Sequence, residues 1–70
     1  MNLTEQKERN ETAREGIELI NKNLGIKIKY LGFVLQLNTS SFSQWRMGLY
    51  DFGKERLVKV ENLLAKYNNL

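Results

Sequence analysis

The sequence predicts a small all-α domain, a bundle of four to five helices. The chain of 70 residues contains no proline, and it is rich in leucine, glutamate and lysine, which are good helix formers. Apolar residues also recur at spacings of three and four near both ends of the chain, the pattern of helices with one buried face. A chain of this length fits one domain.

The composition excludes several classes of function. Cysteine and histidine are both absent, which removes zinc fingers, disulfide scaffolds, thiol nucleophiles and imidazole catalysis. No base–nucleophile pair and no phosphate-binding glycine loop stands out, so we expect no enzymatic activity, no metal and no cofactor. The longest apolar run, Leu31 to Leu35, is far shorter than the roughly 20 residues that span a bilayer. We therefore expect no membrane partner, no secretory segment and a cytoplasmic location.

The first helix is predicted to begin at a capping box, in which Thr12 and Glu15 satisfy each other's free backbone amides. Gly25 is the residue type that commonly ends a helix. Between these points an apolar stripe follows at spacings of four, three and four: Ala13, Ile17, Ile20 and Leu24. Residues 1–11 are expected to form a polar N-terminal extension, either a frayed helix or a mobile arm without core contacts, and residues 12–70 the domain itself.

Two short helices are predicted in the middle of the chain. The first runs from about Lys27 to Gln36 with Ile28, Leu31 and Leu35 on one face. Gly32 lies beside that face, and its cost inside a helix, about 1 kcal/mol, suggests that another helix approaches it closely. A turn over residues 37–41 offers several capping side chains. The second helix buries Phe42 and Trp45 and ends at Gly48.

The last helix is predicted to be capped by Asp51. Its apolar stripe has spacings of three, four and three: Leu57, Val60, Leu64 and Tyr67, with Leu63 alongside. Val58 and Leu63 lie off this stripe and are candidates for the seam of a homodimer.

Charge is unevenly distributed along the chain. The net charge is +3, and residues 24–50 contain Lys27, Lys29 and Arg46 but no acidic residue. A segment without carboxylates suits an anionic partner, because an acid facing a phosphate is unfavourable.

The stretch from Leu31 to Gly48 resembles the helix-turn-helix family of phage repressors and Cro-type regulators. The matching residues are Leu31-Gly32, then Leu37, then Phe42-Ser43-Gln44-Trp45-Arg46-Met47-Gly48. The resemblance covers about residues 13–67 and implies a lambda-repressor-like helix-turn-helix within the bundle. It also implies a temperate-phage genetic switch in a bacterial host cell.

Position by position, the resemblance implies that the third helix enters the major groove of double-stranded operator DNA. Gln44 is the best candidate base reader, because its amide can bond an adenine edge at two points. Phosphate contacts would come from Lys27, Lys29 and Arg46, which fix register without reading sequence. The residues nearest to DNA would be Asn38, Thr39, Ser40, Ser43 and Gln44. Trp45 is expected in the core.

The chain departs from the family pattern at several positions. Gln36 replaces the usual turn glycine, so a left-handed backbone there would carry strain. Lys27 replaces the usual capping Ser or Thr. Arg46 stands where an acid is frequent and Asn21 where its basic partner is frequent, so Arg46 is expected to reach Glu18 or a phosphate.

Phe33 supports a second interpretation. It lies roughly opposite Leu31 and Leu35 on a helical wheel, so it is either covered by the turn and final helix or exposed. If exposed, a surface formed by Phe33, Val34, Gln44 and Met47 suits a protein partner. The chain would then be an antirepressor-like modulator that covers the DNA-reading face of a partner repressor and blocks its DNA binding.

Overall fold

The computed structural model describes residues 2–68. Within that range the chain is all-helical, and four helices follow one another without a strand: α1 (Leu3–Leu24), α2 (Ile28–Val34), α3 (Thr39–Arg46) and α4 (Lys54–Asn68). The all-α class is confirmed. The predicted segments 1–11 and 12–70 reach beyond the described residues at position 1 and at positions 69–70.

Helix α1 begins earlier than the sequence predicts. Asn2 is its N-cap, and the Asn2 side chain accepts a hydrogen bond from the backbone N–H of Glu5 at 2.8 Å. The capping box at Thr12 therefore lies inside the helix and does not cap it, and the N-terminal extension is helical, one of its two expected arrangements. The end of α1 is as predicted, since Gly25 adopts a left-handed conformation with φ 69°.

The polar N-terminal stretch also reaches the core, contrary to expectation. Asn10 is fully buried, and its position about two helical turns before Ile17 places it in phase with the apolar stripe of α1. A polar residue is tolerated there because neighbouring backbone and side-chain groups satisfy its side chain.

Helices α1 and α4 pack along each other, and side chains from α2, α3 and the loop before α4 complete the hydrophobic core. At Gly16 a Cβ atom would come within 2.8 Å of Leu64 Cδ1, so the two helices approach closely at that point. The buried apolar side chains are Ala13, Ile17, Ile20, Leu31, Leu35, Phe42, Trp45, Phe52, Leu57, Val60 and Leu63. Leu64 and Tyr67 are only half-buried. Leu63 is therefore part of the core and is not available to a dimer seam, whereas Val58 is exposed.

Helix α2 is shorter than predicted, because Leu35 already forms its C-cap. Gly32 has the predicted role: a Cβ atom there would lie 3.0 Å from Phe42 Cδ2, so α3 packs directly on this glycine. In the turn that follows, Gln36 has φ 59°, the left-handed conformation expected at that position.

The start of α4 differs from the prediction at Asp51. The helix begins at Lys54, and the Asp51 carboxylate accepts a hydrogen bond from the Arg14 guanidinium at 2.9 Å. Asp51 therefore anchors the preceding loop to α1 and does not cap α4. No helix among residues 2–68 is both long and apolar enough to cross a membrane.

Candidate functional site

Helix α3 starts at a side-chain cap. Asn38 lies just before the helix, and its Oδ1 accepts a hydrogen bond from the backbone N–H of Ser41 at 2.6 Å. This bond satisfies one of the free amides of the first turn. The amide N–H groups of Asn38 and the second lone pair of its oxygen remain for an external partner.

An aromatic stack fixes the inner face of α3. The rings of Phe42 and Trp45 have centroids 5.9 Å apart, and the Trp45 ring stacks on Phe52 at 4.5 Å. The Trp45 ring also contacts the Arg14 guanidinium, whose central carbon lies 5.3 Å from the ring centroid. Trp45 is fully buried, which confirms its predicted place in the core.

Asn10 joins the stack to α1 through four hydrogen bonds. Its Oδ1 accepts from Trp45 Nε1 at 2.7 Å and from the backbone N–H of Phe52 at 2.8 Å. Its Nδ2 donates to the backbone oxygens of Gln6 at 2.8 Å and of Phe52 at 3.1 Å. The buried amide is thus fully satisfied, and it sets the position of α3 relative to α1.

Arg14 holds the chain that leaves α3. Its Nε donates to the backbone oxygen of Trp45, and one of its terminal nitrogens donates to the backbone oxygen of Tyr50 at 2.7 Å. The Tyr50 hydroxyl in turn donates to the backbone oxygen of Ser41 at 3.1 Å. Arg14 therefore ties the loop between α3 and α4 to α1, and Tyr50 ties the same loop to α3.

The hydrogen bonds from polar side chains of α1 to the rest of the fold were not predicted from the sequence. Gln6, Asn10 and Arg14 follow at intervals of four, and Gln6 Nε2 also donates to the backbone oxygen of Phe52 at 3.0 Å. The available signal was this spacing, in phase with Ile17, which places all three on the buried side of α1.

The outer side of α3 is polar and accessible. Gln44 Nε2 lies 3.4 Å from Ser40 Oγ, and Ser43 Oγ lies 3.9 Å from Met47 Sδ. Both contacts are long, so an external partner can replace them at little cost. Asn38, Thr39, Ser40 and Gln44 are accessible, and Ser43 is half-buried.

The three basic residues within residues 24–50 differ in whether they form a salt bridge. Lys27 and Lys29 are exposed and form no salt bridge within residues 2–68. The Arg46 guanidinium is paired with the Glu18 carboxylate at 2.8 Å, one of the two arrangements expected for it. A phosphate would have to compete with Glu18 for this side chain.

Exposed apolar side chains lie beside this polar surface. Phe33 is 80% exposed and Met47 is 68% exposed, so the turn and the final helix do not cover Phe33. Val34 is 39% exposed. The four residues expected on a protein-binding surface, these three and Gln44, are therefore all accessible.

A groove of about 730 Å³ runs between α2 and α3. It brings together six of the predicted site residues: Lys29, Phe33, Asn38, Thr39, Ser43 and Arg46. Gly32 and Phe42 also line it. Val34 instead lines a second groove, between α2 and α4. Ser40, Gln44 and Met47 line neither of these grooves, and Lys27 directly precedes α2.

Comparisons of the chain with protein-family models, curated proteins and solved structures find no significant match.

Proposed function

We propose that the chain is a small helix-turn-helix transcriptional regulator of a temperate-phage-type genetic switch, and that α3 binds operator DNA. The observation that carries this proposal is the exposed polar side of α3, in a segment, residues 24–50, that contains no acidic residue. A helix with small polar side chains and one amide can enter a major groove and form hydrogen bonds with base edges.

The packing of α2 against α3 supports the helix-turn-helix interpretation. Only Leu35 to Asn38 separate the two helices, and the contact of Gly32 with the Phe42 ring lets them approach closely. The buried side chain of Trp45 anchors the inner face of α3 in the core. Such support keeps a reading helix rigid, which improves the precision of its contacts.

In this proposal Gln44 reads a base, and Lys27 and Lys29 contact phosphates. Gln44 has a free amide oxygen and only a long contact to Ser40. Arg46 adds a third phosphate contact if it leaves Glu18. Phosphate contacts supply affinity and register, while the amide supplies specificity.

The test is a Gln44→Ala variant measured on DNA duplexes selected from a random pool by the wild-type chain. Fluorescence anisotropy should show a loss of affinity of about 1–3 kcal/mol, or about 5- to 150-fold, with relaxed preference at one base position. Asn62→Ala, an exposed amide on α4, is the matched control and should bind as the wild type does. Equal affinity of the Gln44 variant and the control would refute the role of Gln44.

The exposure of Phe33 favours a second candidate function. In this alternative the chain is an antirepressor-like modulator that binds a partner repressor through Phe33, Val34, Gln44 and Met47 and blocks its DNA binding. A phenyl ring that is 80% exposed offers apolar surface that a protein can bury and a phosphate cannot hydrogen-bond.

A mixture of the chain with the repressor of the same switch and its operator distinguishes the two functions. A modulator should release the repressor from DNA without binding that DNA itself. Phe33→Glu should abolish the release while circular dichroism and thermal unfolding stay unchanged, because the side chain has little packing to lose. Release by the variant at wild-type concentrations would exclude this surface.

A further inference from the structure

The exposed face of α2 is unusually apolar for so short a helix. Tyr30, Phe33 and Val34 are 54%, 80% and 39% exposed, and we refer to these three residues as the α2 patch. Spacings of three and four place Tyr30 next to both Phe33 and Val34 on the helix surface. The patch is therefore continuous, and contiguous apolar surface of this kind marks interaction sites.

Basic residues flank the α2 patch on two sides. The groove between α2 and α3 is lined by Phe33 together with Lys29 and Arg46. The groove between α2 and α4, of about 360 Å³, is lined by Val34 together with Lys59 and Lys66.

No carboxylate lines either groove among the described residues. Arg46 is already paired with Glu18, so the unpaired positive charge comes from the three lysines. They remain available to carboxylates of a partner.

We propose that the α2 patch binds an acidic amphipathic segment of a partner protein. The apolar side chains of that segment pack on Phe33 and Val34. The carboxylates of the segment lie opposite Lys29 on one side and Lys59 on the other. This inference rests on the second proposed function but changes one part of it: the partner surface is an acidic segment of the repressor and not its DNA-reading face.

Charge decides which part of a partner fits. A basic segment, such as the DNA-reading face of a repressor, would bring like charges together in both grooves, and like-charge contacts disfavour wrong partners. Double-stranded DNA would satisfy the lysines but would leave the Phe33 ring against phosphates, which cannot pack on it. An acidic segment with large apolar side chains satisfies both features.

The experiment uses the full ¹⁵N-labelled chain and two synthetic helical peptides of about 18 residues. Both peptides carry the same leucine stripe, and one has glutamate where the other has lysine. We expect the glutamate peptide to shift the amide resonances of the α2 patch and of Lys29 and Lys59, and the lysine peptide to leave them unchanged.

Two variants and a control identify the contact. Phe33→Ser should weaken binding of the glutamate peptide about tenfold or more, because the peptide buries the phenyl ring. Lys29→Glu should lower the affinity for the glutamate peptide and raise the affinity for the lysine peptide. Leu3→Ser is the matched control, because Leu3 is 85% exposed and lies on α1 far along the chain from the patch, and it should bind as the wild type does.

Several results would overturn the inference. These are an absence of shifts in α2 at about 1 mM glutamate peptide, equal shifts with the lysine peptide, or equal losses in Phe33→Ser and Leu3→Ser. A selected DNA duplex is the third probe. If DNA shifts the α2 patch and the glutamate peptide does not, the patch belongs to a DNA interface and the inference fails.

These outcomes are separable from a failure of the proposed functions. A silent α2 patch with DNA-induced shifts in α3 leaves operator binding intact. If the Phe33→Ser variant releases the repressor from DNA as well as the wild type does, modulation is retained, but the α2 patch has no part in it.

Discussion

Replacing Asn10 with alanine should destabilise the fold strongly, because one buried amide joins three parts of the chain. The variant leaves Trp45 Nε1 and the backbone N–H of Phe52 without their acceptor. The Phe52 backbone oxygen keeps its bond from Gln6. Each buried orphaned donor costs about 1–3 kcal/mol, and alanine returns about 0.5 kcal/mol of helix propensity. The expected net loss is about 2–5 kcal/mol.

That loss is large against the roughly 4–10 kcal/mol of stability typical of 70 residues. Urea unfolding followed by fluorescence of Trp45, the single tryptophan, measures it directly. Asn23→Ala is the matched control, since Asn23 is exposed on the same helix and should change stability by a few tenths of a kcal/mol at about the same m-value. A loss below about 1 kcal/mol for Asn10→Ala would refute the role assigned to its hydrogen bonds.

Three further substitutions test contacts elsewhere in the fold. Gln36→Gly should raise the free energy of unfolding by up to about 1 kcal/mol, because glycine removes the strain of φ 59°; a lower urea midpoint would contradict this. Glu18→Gln should release Arg46 from its ion pair and strengthen binding to a selected duplex by up to about fivefold; unchanged or weaker binding would show that Arg46 does not contact DNA. The hydrogen bond from Arg9 lowers the pKa of Glu61, so this pair stabilises the fold above the ordinary carboxyl pKa of about 4.5 and loses that effect as the pH falls through the lowered pKa. Glu61→Gln should therefore be less stable than wild type near neutral pH and equally stable in strong acid, and a difference that persists in acid would contradict the assignment.

The apolar stripes explain how much of the fold the sequence predicts. Ile17, Leu57 and Val60 lie in the core as their spacing requires, because the burial of apolar side chains is the main force that packs helices together. Glycine positions are equally informative: Gly25 ends α1, and Gly32 admits the Phe42 ring. At these positions the residue type and its spacing along the chain are enough to predict burial or the end of a helix.

The incorrect predictions, for the N-terminal stretch and for Asp51, concern polar residues. Asn10 and Arg14 look like ordinary surface residues in the sequence, yet their side chains bind backbone groups more than 30 positions away. Asp51 has the residue type of a helix cap, but its partner is Arg14. Such contacts depend on the tertiary arrangement, and spacing along one helix does not identify a distant partner.

The accessibility of the candidate residues on α3 was predictable from the sequence, whereas the ionic partner of Arg46 was not fixed by it. The polar side chains of α3 are accessible as expected, and the pairing of Arg46 with Glu18 was one of two expected outcomes. The exposure of Phe33 was left open by its helical phase, because burial there depended on where α4 and the turn lie. The structure resolves that alternative, and it adds the groove beside Phe33.

The most direct test of operator binding is an anisotropy titration of the chain against a selected duplex and an unrelated duplex of equal length, at two salt concentrations. We expect binding to the selected duplex that is about 10³-fold tighter or more. Contacts from Lys27, Lys29 and Arg46 predict a slope of log affinity against log salt of about −2.7 per chain. Equal affinity for the two duplexes, or no binding to either at about 10 μM, would contradict operator binding by α3.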